Sequence, residues 1–95
     1  MLRGYKVLGR NVWIGGYELD LIVRRGRKLA FVEVKAKGGP GFGDPFEMVT
    51  LEKQRRLRRA AEAWLAANRK LAALDTSFEV VGFRGGRLER LKQAF

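Results

Sequence analysis

The sequence predicts an α/β fold with its elements in the order β-β-β-α-β-β, and three observations predict it. Near the amino terminus, three runs rich in β-branched and aliphatic residues are separated by short glycine-marked turns, as in a strand meander. A single later stretch, Leu51 to about Ala73, contains neither glycine nor proline and is rich in Leu, Ala, Arg and Glu. Two more short runs flank Gly85-Gly86 and finish the chain as a second hairpin or as one strand with a tail.

Each element follows from its residues. Tyr5 to Ile14, with Val7, Val12, Trp13 and Ile14, is the first strand, and Gly15-Gly16 turns it into the second, Tyr17 to Arg24. Arg25-Gly26-Arg27 is a hairpin signal leading into the third, Lys28 to Lys37. Five of the six residues from Gly38 to Gly43 are glycine or proline, which forbids regular structure and marks a flexible connector as far as Pro45. That connector lacks the phosphate-loop spacing ending in Gly-Lys-Ser or Gly-Lys-Thr. Thr50 is a good helix N-cap. Leu57, Ala61, Trp64, Leu65, Leu71 and Ala72 recur at three- and four-residue spacing, an apolar stripe suited to covering one face of the sheet, with Trp64 in the core. Phe78 to Phe83 and Arg87 to Leu91 are the last strands.

Ninety-five residues make one small domain with a single modest core. Twenty Lys and Arg against ten Asp and Glu leave a net charge of +10, which favours a polyanionic partner. Nucleic acid fits that charge better than a membrane, because no apolar run approaches the ~20 residues that span a bilayer and no signal-peptide core is visible. The chain therefore reads as cytoplasmic. Without cysteine or histidine it has no disulfides, no thiolate or imidazole metal sites and no Ser-His nucleophile, so only oxygen-ligated metal chemistry remains.

The acidic residues are placed for that chemistry. Side chains alternate along strands, so Glu18, Asp20 and Ile22 share one face of the second strand, and Leu29, Phe31, Glu33 and Lys35 one face of the third. With Arg25-Gly26 as a two-residue turn, Glu18 opposes Glu33; with a four-residue loop from Arg25 to Lys28, Asp20 opposes Glu33. Either register gathers Glu18, Asp20, Glu33 and Lys35 on one face. Facing like charges cost up to ~1 kcal/mol per pair, and a bound cation reverses that sign. Mg²⁺ takes oxygen ligands, commonly one or two carboxylates completed by water and substrate phosphate, which suits Asp20 and Glu33. An adjacent lysine such as Lys35 neutralises developing charge or orients an attacking water. The alternative is a solvent-facing sheet surface whose ion pairs contribute ~0–1 kcal/mol each.

Lys53, Arg55, Arg56, Arg58 and Arg59 crowd the first turns of the helix, where cations oppose the helix dipole. Such a cluster is either a solvated face or a holder of phosphates that does not read sequence. The conflict with the dipole favours the second.

G-Y-E-L-D-L-I-V from Gly16, F-V-E-V-K from Phe31, F-G-D-P from Phe42, V-T-L-E-K-Q-R-R-L from Val49 and F-E-V-V from Phe78 resemble, in that order, the YraN family of small bacterial proteins, also called UPF0102. The resemblance runs from about Gly4 to Val81. It implies a small restriction-endonuclease-like fold, a central mixed sheet flanked by one long helix, forming a single nuclease-like domain over residues 1–95. The superfamily is that of the PD-(D/E)xK nucleases, similar to archaeal Holliday-junction resolvases. By that resemblance Asp20 matches the motif aspartate, Glu33 and Lys35 the (D/E)xK half, and Glu18 the acidic residue of the G-E-I-D-L-I block. Lys53 and Gln54 match the Lys-Gln that opens the following helix, and Leu19 stands where the nominal motif proline would be.

Family members usually begin with a helix carrying G-x-x-G-E-x-x-A, and only three residues precede Gly4, so that amino-terminal family helix is missing from the match. Glu18 is then the candidate to replace its glutamate, and a sheet side lacking that cover favours a homodimer.

The expectation is a Mg²⁺- or Mn²⁺-dependent endonuclease-like protein acting on DNA, branched DNA included, in recombination or repair. Asp20 and Glu33 bind the metal, Lys35 and Glu18 complete the catalytic set, and Lys53, Gln54, Arg55, Arg56 and Arg59 hold phosphates. The alternatives are a non-catalytic nucleic-acid-binding module of the same fold and, third, an RNA-associated basic protein.

Overall fold

Tight glycine turns set the first half of the chain. In the computed structural model, which describes residues 4–35, 50–84 and 87–91 with side chains for 4–35 and 50–82, β1 (Lys6–Ile14), β2 (Tyr17–Arg25) and β3 (Lys28–Lys35) form an antiparallel meander. Gly15 and Gly16 both take positive φ, 62° and 79°, the pattern of a type I′ turn whose twist suits the flanking strands. Gly26, at φ 59°, opens the second turn. The glycine-rich connector expected between Gly38 and Pro45 lies outside the described residues.

Helix α1 (Leu51–Ala67) then crosses over to β4 (Asp75–Arg84), which pairs parallel with β3, and β5 (Arg87–Leu91) returns antiparallel to β4. The result is one mixed five-stranded sheet in the order β1-β2-β3-β4-β5, covered on one face by α1. Lys53 in the first turn of α1 reaches Lys35 at the end of β3, so the carboxyl end of β3 and the amino end of α1 lie together.

Thr50 caps α1 as expected, its Oγ1 accepting from the Lys53 N–H at 3.2 Å. The helix is shorter than the sequence predicted. Asn68 ends it: the side-chain amide donates to the Trp64 carbonyl at 2.8 Å, the backbone N–H turns to Leu65, and φ/ψ of −131°/60° leaves the helical region. A 3₁₀ turn, Arg69–Leu71, follows, and Ala72, expected on the core stripe, is exposed. Leu57, Ala60, Ala61 and Trp64 form the buried stripe and meet Leu19, Ile22, Leu29 and Phe31. On the far face Val23, Ala30, Val32 and Val81 are buried together, so β3 is covered on both sides and reads as an almost unbroken apolar run.

Gly15 also sets the spacing between the first hairpin and α1. A Cβ there would lie 3.1 Å from the Ala60 Cα and 3.3 Å from the Arg59 carbonyl oxygen, in a backbone conformation that already disfavours L side chains. Gly15→Ala is therefore expected to destabilise the fold by about 1–3 kcal/mol, read as a lower urea midpoint with an unchanged m-value. A change within ~0.5 kcal/mol would mean that the hairpin moves away from the helix without cost.

Candidate functional site

The cluster is built where β2 and β3 part. Their pairing runs from Arg25–Lys28 to Leu21–Val32 and stops. This is the expected register in which Asp20 lies opposite Glu33, reached through a two-residue turn at Gly26-Arg27 rather than a four-residue loop. Past Leu21 the Asp20 side chain replaces the ladder: its Oδ2 accepts from the Val34 N–H at 2.9 Å. The β1–β2 pairing also passes from Arg10–Leu21 to Val12–Leu19 without joining Asn11 to Asp20. Asp20 thus sits at a break in the ladders on both sides of β2.

That break shifts the alternation. Leu19 and Ile22, three residues apart, both belong to the core under α1, as does the partly buried Tyr17, whereas Leu21 packs on the opposite face. Glu18 consequently does not share a face with Glu33 and Lys35 as strict alternation predicted. It is exposed and pairs across the ladder with Trp13, itself 72 % exposed.

Glu33 and Lys35 follow Phe31 on the α1 side of β3. Lys35 Nζ lies 3.0 Å from Glu33 Oε1. Glu33 is 7 % exposed, and its other oxygen, Oε2, is buried without a hydrogen-bond partner among the described residues. Burial raises the Glu33 pKa; the hydrogen bond from Lys35 opposes the rise and the Asp20 charge adds to it. For Lys35 burial works against the ammonium, but the hydrogen bond and charge of Glu33 outweigh it and its pKa rises. The lysine gains from the pair while the glutamate remains under-compensated, because one lysine serves one of two buried oxygens. Gly82, beside Lys35 on β4, adds no side chain there.

Helix α1 contributes cations at its amino end. Lys53 comes within hydrogen-bonding reach of Lys35, whose charge is the main cause of its lowered pKa. Gln54 is half-buried one residue on. Arg56 pairs with Glu52 at 2.6 Å and its charge reaches Tyr17. Arg55 and Arg59, four residues apart on one exposed side, do not join the cluster, and Arg58 lies over the Phe78 ring at 5.2 Å. Tyr17 is a member that the sequence did not reveal. Burial and then the Glu33 charge raise its pKa, with Lys35 opposing.

Among the described residues no group of three or more Asp, Glu, His or Cys side chains is placed to hold a metal ion. The fit to a divalent ion rests on two carboxylates, Asp20 with one oxygen bound to the backbone and Glu33 with one oxygen unsatisfied. Two carboxylates are a sufficient protein share for Mg²⁺, which keeps water and phosphate in its other positions.

Fold and cluster together define a small α/β protein with a carboxylate–lysine centre at the carboxyl end of a parallel strand, facing a basic helix start. No described helix is long and apolar enough to cross a membrane. The chain belongs to uncharacterised protein family UPF0102, whose model matches residues 1–83. A UPF0102 protein of Alkalilimnicola ehrlichii is 40 % identical over 93 residues, covering 98 % of this chain and 74 % of the relative. One from Saccharophagus degradans is 39 % identical over 93 residues, with 98 % and 79 % covered. The UPF0102 protein YraN of Escherichia coli is 38 % identical over 94 residues, with 98 % and 72 % covered.

Proposed function

We propose that this protein is a divalent-metal-dependent phosphodiesterase acting on DNA, with Mg²⁺ or Mn²⁺ as its cofactor. The observation that carries this reading is the buried Glu33 Oε2, without a hydrogen-bond partner among the described residues and near Asp20 and Lys35, since an orphaned buried oxygen costs about 1–3 kcal/mol and a cation removes that cost. Asp20 and Glu33 would hold the ion, which when bound supplies a water of lowered pKa and charge compensation at the phosphate. Asp20 is held in position by the Val34 N–H. Lys35, already seated against Glu33, presents an ammonium for the charge that develops on a phosphate oxygen. Lys53 and the amino end of α1 add positive potential on the same side, and the net charge of +10 draws in the polyanion. Arg55 and Arg59, exposed on α1, would hold backbone phosphates away from the reacting one.

The Lys35–Glu33 contact favours a second reading, a DNA-binding module of the same fold that does not cleave, because the lysine already partly neutralises the glutamate. Incubating the protein with labelled linear duplex, single-stranded and four-way-junction DNA in Mg²⁺ or Mn²⁺ separates the two. Cleavage that EDTA and Asp20→Ala both abolish is the expected result. Retained DNA binding with no cleavage of any substrate would favour the module.

A further inference from the structure

Asp20 also forms part of the wall of a cleft of about 420 Å³ on the sheet face away from α1. Irregularities in β1 shape that cleft. A register shift separates Val7 from Gly9, and Asn11 takes a left-handed conformation, φ 49°, opposite the break at Asp20. Val7 and Val34, 40 % and 41 % exposed, give it apolar surface alongside Leu21, while Arg10 and Asn11 supply a cation and an amide. Tyr5, with Arg25 over its ring at 5.8 Å, adds an aromatic side.

The chemistry of these walls selects the occupant. An anion placed inside would face the Asp20 carboxylate, and a hydrocarbon would cover Asn11, Arg10 and Asp20 without satisfying their hydrogen bonds. A neutral aromatic ring with polar edges meets both conditions, stacking on apolar and aromatic surface while the amide and carboxylate meet its donors and acceptors. The volume lies at the lower end of the ~300–1,000 Å³ usual for small-ligand pockets, which suits one nucleoside rather than a duplex. Asp20 lines this cleft and its charge also reaches Glu33, so a base seated here belongs to a nucleotide near that cluster.

The geometry points to a subsite for one unpaired nucleobase of a DNA strand, which makes DNA with unpaired nucleotides beside the scissile phosphate the substrate class. This rests on the phosphodiesterase reading above.

The test is a binding titration in EDTA, where no cleavage intervenes, using duplex DNA with 2-aminopurine either as a single unpaired nucleotide or fully paired. The unpaired probe is expected to bind about tenfold more tightly, because base–aromatic stacking contributes on that scale, and to change its fluorescence on binding. Asn11→Gly keeps the left-handed backbone and removes the amide, and Val34→Ser removes apolar surface from an exposed position without adding charge, so neither should unfold the protein. Both variants should lose the preference for the unpaired probe while binding the paired duplex as before. Equal binding of the two probes, or equal weakening of both by the variants, would overturn the subsite and leave the phosphodiesterase reading in place. No binding to either probe would overturn the subsite, and the phosphodiesterase reading is then decided separately by metal-dependent cleavage.

Discussion

Glu33→Gln is expected to reduce metal-dependent cleavage by about a thousandfold or more, the largest functional effect this site predicts. A metal at the reacting phosphate stabilises the transition state by several kcal/mol, and each 1.4 kcal/mol is about a tenfold change in rate. The amide keeps the size of the side chain and an oxygen that can still accept from Lys35 Nζ, so the substitution isolates the lost charge. Binding gives a second readout that does not depend on turnover. At a hundredfold excess over Kd, Mn²⁺ should stabilise the native protein by about 2.7 kcal/mol. For a domain of this size that raises Tm on the order of 10 °C or more. The variant should show no such rise. An undiminished Mn²⁺ shift in Glu33→Gln would remove Glu33 from the metal site.

The raised pKa of Glu33 fixes the pH dependence of that shift. Burial, with Asp20 adding to it, places the folded value above the ordinary 4.5. The group therefore contributes stability that is present below its unfolded value and is lost as pH rises through the folded one. Metal binding needs the ionised form, so the Mn²⁺-induced rise in Tm should be absent near pH 4 and grow through that window, while metal-free stability from this group falls. Lys35 acts at the other end of the scale. Its pKa is raised above 10.5, so its contribution persists through neutral pH and is lost only as pH rises through that higher value.

What could be read from the chain was what local rules govern. Gly15-Gly16 and the Gly26 turn set the meander, Thr50 the helix start and the three- and four-residue stripe the covered face, because each depends on a few neighbouring residues. Asp20, Glu33 and Lys35 came together because a hairpin register relates residues only a dozen apart. Glu18 was misplaced for a reason equally local to the structure but invisible in a binary pattern. The β2 ladders break at Asp20, and a one-residue slip sends a side chain to the other face. The helix end was missed because an asparagine amide competing for the Trp64 carbonyl carries no signature in periodicity. Tyr17 and the orphaned Glu33 oxygen depend on how α1 closes over β2 and β3, a tertiary contact that no spacing rule encodes.

The support beneath the site leads to the second large effect, on stability. Phe31 lies two residues before Glu33 on the same side of β3 and is 3 % exposed. Its ring meets Trp64 edge-on, with centroids 5.9 Å apart and planes at 82°, and stacks on Phe78 at 5.6 Å and 28°. Truncating a buried phenylalanine costs about 3–5 kcal/mol, and the aromatic pairs lost with it are worth more than their area alone. The neighbours cannot close the space, since Ala60 and Ala61 on α1, which share its core, have no reach. Against a total stability of ~5–15 kcal/mol, Phe31→Ala should lower Tm on the order of 15 °C or more, with the urea midpoint falling in parallel. Phe31→Leu, which refills most of the volume, should cost clearly less and retain the Mn²⁺ shift. Phe31→Ala should bind Mn²⁺ more weakly even when titrated well below its own Tm, because the loosened β3–α1 contact lets water reach Glu33 Oε2 and removes the buried, unsatisfied state that a cation relieves. A loss under ~1 kcal/mol in Phe31→Ala would show instead that the helix and sheet are held together elsewhere, and that Glu33 does not owe its burial to this aromatic cluster.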